Sequence, residues 1–275
     1  MVTSVNTNPG ALVALQNLNA TNRDLAEVQG RINTGLKVSS ARDDGAIFAI
    51  AQNLRSDLSG INAVKQSLDR AISTTDVAIA AGESVSDLLI QLKEKAVAAS
   101  DSSLDTNSRT ALDNDFTALR DQITTVVNNA EFNGVNVVKN GGSAVVAITN
   151  DQGTSTITVA AQDFSLTGTN ITLTAASQID TVTKAAAEVT NIESSITNAN
   201  ASLAKLGTGS KQFNTQRTFA NKLADVIETG IGNLVDADLA KESARLQSLQ
   251  VKQQLGIQAL SIANQSPSTI LGLFR

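Results

Sequence analysis

The sequence of 275 residues contains no histidine, cysteine, tryptophan or tyrosine, and only two prolines. Without histidine or cysteine, the chain has no imidazole for acid–base catalysis, no thiolate nucleophile, no disulfide and none of the usual zinc ligands. These absences argue against most enzyme classes. We therefore expect no enzymatic activity, and no catalytic, cofactor-binding or metal site.

Two further features argue against nucleic acid and membranes as partners. The chain is acidic, with 21 Lys and Arg against 26 Asp and Glu, and it lacks the Trp and Tyr side chains that commonly stack on bases. No run of 18 apolar residues is present, so we expect no membrane span. The first ten residues carry neither Lys nor Arg, so we also expect no cleaved secretory signal.

Apolar residues recur at helical spacing along most of the chain. The pattern predicts helices over 11–36, 47–100, 105–129, 179–231 and 236–265, with Pro267 ending the last helix. Between residues 135 and 174 the period changes to two, in runs rich in Val, Ile and Thr at 135–137, 144–149, 154–159 and 171–174. Asn-Gly and Asp-Gln-Gly turns separate these runs, which predict two or three β-hairpins.

The expected fold is mainly α: a long antiparallel helical bundle or coiled coil built from the N- and C-terminal halves, with a small β-hairpin region in the middle. Both chain ends are amphipathic helices, and neither can bury its apolar stripe alone. They need each other or copies of themselves. We expect the ends to be frayed in a monomer and ordered when neighbours cover them.

Four segments, in chain order, resemble bacterial flagellin. They are NTN at 6–8, RINTGLKVSSARDDGA at 31–46, FNG at 132–134, and the C-terminal runs ANQSP at 263–267 and ILGLFR at 270–275. The resemblance covers residues 1–138 and about 180–275. It implies a structural subunit that self-polymerises into the flagellar filament, the rotating propeller for swimming.

The resemblance also implies a division of the chain. Residues 1–33 and 235–275 would be terminal helices forming the inner filament core, and 34–45 a connector. Residues 46–138 and 180–234 would form a helical outer-tube domain, and 139–179 a β-rich, surface-exposed tip. The expected polymerisation residues are apolar: Leu18, Leu25, Ile32, Leu246, Leu249, Leu255, Leu260, Leu273 and Phe274.

Four charged residues mark the connector. They could pair across it, within or between subunits, or they could simply be solvated charges on a loop; they are Arg31, Arg42, Asp43 and Asp44.

The family implies further partners and a location. Besides copies of itself, the chain would meet the flagellar export apparatus, an export chaperone, the filament cap and hook-associated junction proteins, and it would be extracellular. Two alternatives remain open: a hook–filament junction protein of the same family, which would not form long filaments, and an unrelated secreted helical effector or hydrolase.

Many flagellins are sensed by an innate immune receptor. The contacts are an Arg on the long helix, a Leu four residues later and an acidic residue on the next helix. The corresponding positions here are Gln91, Lys95 and Asp115. Gln91 lacks the forked, charged guanidinium of Arg, and Lys95 brings a strongly hydrated ammonium where the family has an apolar Leu. The resemblance therefore implies weak sensing.

Overall fold

Five long helices and two short hairpins make up the computed structural model, which describes residues 7–271, with side chains for 7–265. The expected fold class is confirmed. Leu273 and Phe274 lie outside the described residues. The elements are α1 Pro9–Thr34, α2 Gly45–Ala99, α3 Thr106–Asn129, β1 Glu131–Phe132, β2 Val135–Asn136, β3 Val145–Ile148, β4 Thr156–Val159, α4 Val182–Val235 and α5 Leu239–Leu271.

Polar side chains determine where three of the helices begin. Asn8 caps α1, and Pro9 stands at the first helical position, where a missing N–H costs nothing. Asp44 Oδ1 accepts from the N–H groups of Ala46 and Ile47 at the start of α2. Asp105 does the same for α3.

The chain forms two compact units. One contains the described residues up to 56 and those from 226 onward, with α1 packed antiparallel to α5. The other spans 57–225 and contains α3, both hairpins and most of α2 and α4.

In the second unit, α2 and α4 run antiparallel. Asp69 pairs with Arg217, and Lys93 with Glu193, so residue numbers fall along one helix as they rise along the other. The apolar stripe that the sequence predicts on α2 is buried in the core of this unit together with residues of α3 and α4, among them Leu68, Val85, Leu92, Phe116, Ile123, Ile192, Leu206 and Phe213.

Both hairpins are antiparallel. The first turns at Asn133 and Gly134, whose φ angles of 50° and 81° fit the left-handed turn that this dipeptide favours. In the second, Val145 pairs with Val159 and Ile148 with Thr156. This second hairpin packs on the helices, since the Ile148 N–H donates to the Ser67 hydroxyl on α2.

The strand expected at 171–174 does not form. Its alternation of burial is as expected, with Ile171 and Leu173 buried and Thr172 exposed. However, the Thr172 N–H donates to the Ser195 hydroxyl on α4 rather than to another strand. Only a single bridge, from Ile171 to Leu166, has strand character.

The expected helix stop at Pro267 is also wrong, because α5 continues to Leu271. A proline inside a helix removes one N–H, and the carbonyl four residues earlier loses its donor. That carbonyl belongs to Ala263, and the side-chain amide of Asn8 donates to it at 2.7 Å. The carbonyl therefore keeps a hydrogen bond although the helical donor is missing.

Candidate functional site: the terminal helix pair and the connector

One face of α5 packs on α1. Val28 on α1 and Leu249 on α5 are buried, with 0% and 5% of their surface exposed. Gly256 lies against Leu18, where a Cβ carbon would be 3.3 Å from Leu18 Cδ1. Four more of the expected polymerisation residues are half-buried in the same unit: Leu25, Ile32, Leu246 and Leu260.

The opposite face of α5 is uncovered and apolar. Val251, Leu255 and Ile262 are 56%, 57% and 70% exposed. At about 100° per residue they lie within one narrow sector, turned away from Leu249 and Leu260. The expected polymerisation residues are therefore divided, because Leu255 alone among those on α5 with described side chains is on the uncovered face.

Exposed apolar surface is concentrated on these two helices. Among the described residues, fifteen large apolar side chains are strongly exposed. Eight of them lie on α1 and α5, which supply only 26 and 33 residues: Leu12, Val13, Leu15, Leu239, Val251, Leu255, Ile257 and Ile262. Exposed apolar side chains concentrated in this way are typical of surfaces that another molecule covers.

Arg31 joins α1 to α5 rather than to the rest of the connector. Its guanidinium contacts Glu27 at 2.6 Å and Glu242 at 3.2 Å. Glu242 is buried, and its second oxygen, Oε2, has no hydrogen bond to any described residue. The sequence signal for Glu242 is its spacing: it stands three residues after Leu239 and four before Leu246, on the apolar stripe, where a carboxylate needs a partner.

Within the connector, Asp43 is a hydrogen-bond acceptor for the chain that precedes it. Its Oδ2 accepts from the N–H and the hydroxyl of both Ser39 and Ser40, at 2.9–3.2 Å. These bonds, led by that of the Ser39 hydroxyl, lower the pKa of Asp43. Asp44 caps α2, as described above. The exposed Arg42 makes no ion pair with any residue the structure describes.

The connector is held to the end of α4. The N–H groups of Lys37 and Val38 donate to the carbonyl of Val235 at 2.7 and 3.3 Å, and the Ala237 N–H donates to the Gly35 carbonyl at 2.9 Å. An apolar cluster supports these bonds: Val38, Ala51 and Val235 are buried, with Leu36, Ile47, Phe48, Ile231 and Leu234 packed around them. The connector, which links α1 to α2, is thus held against the α4–α5 junction by backbone hydrogen bonds and apolar packing.

Two of the three expected receptor-contact residues contact each other. Lys95 Nζ on α2 lies 2.8 Å from Asp115 Oδ2 on α3, and this hydrogen bond raises the pKa of Lys95. Gln91 is exposed one helical turn earlier. The local charge that a partner would meet is therefore an ion pair and not a free carboxylate.

The fold is that of a mainly helical protein whose exposed apolar side chains are concentrated on its terminal helices. No helix within the described residues is long and apolar enough to cross a membrane. Residues 5–142 match the family described as the bacterial flagellin N-terminal helical region, and residues 189–274 match the bacterial flagellin C-terminal helical region. Flagellin FljM of Caulobacter vibrioides is 54% identical over 272 residues, covering 99% of this chain and 98% of the relative.

The chain belongs to the bacterial flagellins, and it is a structural subunit of the flagellar filament. Two solved structures share its fold. A putative flagellar hook-associated protein from Vibrio parahaemolyticus matches with a TM-score of 0.59 and 12% identity, covering 70% of this chain and 100% of the other. Bacillus cereus flagellin matches with a TM-score of 0.50 and 20% identity, covering 56% and 88%. At these identities the likeness concerns the fold, so the first match gives no support to the junction-protein alternative.

Proposed function

We propose that the uncovered face of the α1–α5 pair is the surface through which subunits polymerise into the inner core of the filament. In this arrangement 1–33 and 235–275 are inner and 34–45 joins them to an outer tube made of 46–138 and 180–234. Residues 139–179 form the surface-exposed tip. The observation that carries the proposal is the concentration of exposed apolar side chains on α1 and α5.

The magnitudes suit a polymer that needs the whole face. Burying the exposed part of one such side chain contributes about 1–2 kcal/mol, so the three on the uncovered face of α5 and the five elsewhere on the pair together contribute roughly 8–16 kcal/mol. The loss of translational and rotational freedom on association costs about 4–15 kcal/mol. Since the two ranges overlap, the net free energy of association is small. The cost of burying one unpaired charge among these side chains is therefore enough to prevent assembly.

Membership of the family supports a proposal for the remaining partners. The subunit leaves the cell through the flagellar export apparatus without a cleaved signal, accompanied beforehand by an export chaperone, and it meets the filament cap and hook-associated junction proteins at the filament ends. It has no enzymatic activity, which the lack of His and Cys supports. Sensing by the innate receptor is weak because Asp115 is occupied by Lys95 and Gln91 offers no charged fork.

The test compares two identical substitutions at equally exposed sites. Val251 on α5 and Val146 on β3 are 56% and 55% exposed. Val251→Asp should leave the stability of the monomer nearly unchanged and abolish seeded filament growth, since a buried carboxylate without a partner is costly. Val146→Asp should still form filaments. Filament growth by the Val251 variant, or loss of growth in the Val146 variant alone, would show that the polymerisation surface lies elsewhere.

A further inference from the structure

The side chain of Asn8 makes two hydrogen bonds with different partners. Its Oδ1 accepts from the Ala11 N–H at 3.1 Å, which caps α1. Its Nδ2 donates to the Ala263 carbonyl on α5 at 2.7 Å. Because one partner is a donor and the other an acceptor, both bonds require the same orientation of the amide.

The acceptor on α5 is available because of Pro267. In an unbroken helix the Ala263 carbonyl would accept from the N–H of residue 267, which proline lacks. Inside α5, therefore, one carbonyl is left for an outside donor, and Asn8 at the start of α1 is that donor.

We propose that Asn8 and Pro267 form a latch that sets the axial register of α1 against α5. This proposal rests on the proposed function in one respect, since the pair matters for assembly only if it builds the polymerisation surface. Asn8 is then a positioning residue: it fixes the two helices that carry that surface without itself belonging to the apolar face.

The contacts of Asn8 lie at one end of the helix pair. Among the described residues, polar links between Asn22 and Gln253 and between Arg31 and Glu242 also join the two helices. At 1.5 Å per residue they lie about 21 and 35 Å further along α1 from Asn8. A slip of one turn would shift α1 by about 5.4 Å. Because both helices supply exposed apolar side chains, this shift would change the pattern that a neighbouring subunit meets.

A disulfide reporter tests the register in the monomer. The chain has no cysteine, so an introduced pair has no competitor. A Cβ carbon at Gly256 would lie 3.8 Å from Leu18 Cβ, the mean separation in disulfides, and a one-turn slip takes the two positions out of range. The full chain with Leu18→Cys and Gly256→Cys should therefore form the disulfide, and its oxidation rate reports the fraction of molecules whose terminal helices are paired and in register.

Asn8→Asp removes the hydrogen bond to the Ala263 carbonyl and keeps the helix cap. Aspartate caps a helix as well as asparagine does but cannot donate to a carbonyl. In the reporter chain, the loss of this one hydrogen bond in Asn8→Asp should slow disulfide formation about two- to fivefold, whereas Asn19→Asp, the same change at an exposed site on α1, should not. Equal rates for Asn8→Asp and the unchanged reporter would mean that Asn8 is only a cap, and the proposal would be wrong.

A second experiment measures the effect of Asn8→Asp again in a reporter chain that also carries Pro267→Ala. Alanine restores the N–H that the Ala263 carbonyl normally takes, so Asn8→Asp should then change the rate less than about twofold. An undiminished effect would overturn the pairing of Asn8 with Pro267.

Seeded growth is measured separately: Asn8→Asp should raise the critical concentration about fivefold. If the reporter responds as expected but growth does not, the latch stands and the assignment of the polymerisation surface fails.

Discussion

Two glycines on α4, two residues apart, should respond in opposite ways to alanine. At Gly207 no heavy atom lies within 4 Å of the position a Cβ would take. At Gly209 the Cβ would lie 2.9 Å from Val159 Cγ1 and nearer still to Cγ2. Val159 is the last residue of β4 and is only 7% exposed, so relieving the contact requires a largely buried side chain to move.

The magnitudes follow from these contacts. In the interior of a helix, Gly→Ala stabilises by about 0.8–1 kcal/mol, and Gly207→Ala should show this gain undiminished. Gly209→Ala has the same gain, but overpacking against Val159 costs about 1–3 kcal/mol. The two variants should therefore differ by about 1–3 kcal/mol, or roughly 2–12 °C in melting temperature.

Thermal and urea denaturation of the monomer measure the difference. The double variant Gly209→Ala with Val159→Ala should restore space, with a coupling energy of about 1 kcal/mol between the two sites. If Gly209→Ala stabilises as much as Gly207→Ala, the β3–β4 hairpin does not rest on α4 through this contact.

Three further predictions concern Asp43, Asn136 and the receptor-contact residues. The folded-state pKa of Asp43 is lowered, so its stabilisation of the connector is present above the unfolded value of about 3.9 and is lost as the pH falls through the lowered pKa; an NMR titration with a midpoint at or above 3.9 would contradict this. Asn136→Ala should destabilise by about 1–3 kcal/mol in denaturation, because the buried amide donates to the Val127 carbonyl at 2.7 Å, and a loss below about 0.5 kcal/mol would refute that role. The monomer should be a weak agonist in a receptor reporter assay, and Gln91→Arg with Lys95→Leu should raise its potency at least tenfold, so an unchanged response counts against the receptor-contact positions.

The helical core of the second unit could be predicted because burial follows a single period there. Leu68, Val85 and Leu92 on α2 recur at helical spacing, and all are buried. A helix in a core has one environment on each face, so the distribution of apolar residues directly indicates which face is inside. Nothing outside the helix itself is needed for this inference.

The features that the sequence did not predict depend on partners far away in the chain. The run at 171–174 has strand alternation, but its backbone donor finds a hydroxyl 23 residues later on α4. The sequence predicts a pairing of Arg31 across the connector as one possibility, yet Arg31 pairs with Glu27 on its own helix and with Glu242, which is 211 residues away. Local spacing identifies which groups need a partner, whereas tertiary packing decides which partner is within reach.

Helix α5 shows why its role is harder to derive from periodicity than that of α2. Leu249 and Leu260 face α1, while the opposite side carries Val251, Leu255 and Ile262. Because apolar residues are found on two faces, the sequence of α5 does not show one apolar and one polar face. In a monomeric protein such a helix would be buried on all sides. Here only one of the two faces is covered within the subunit. If the second face is covered by a neighbour, as we propose, then the weak periodicity of α5 is itself a consequence of assembly: one apolar face holds the helix in its own subunit, and the other joins that subunit to the next.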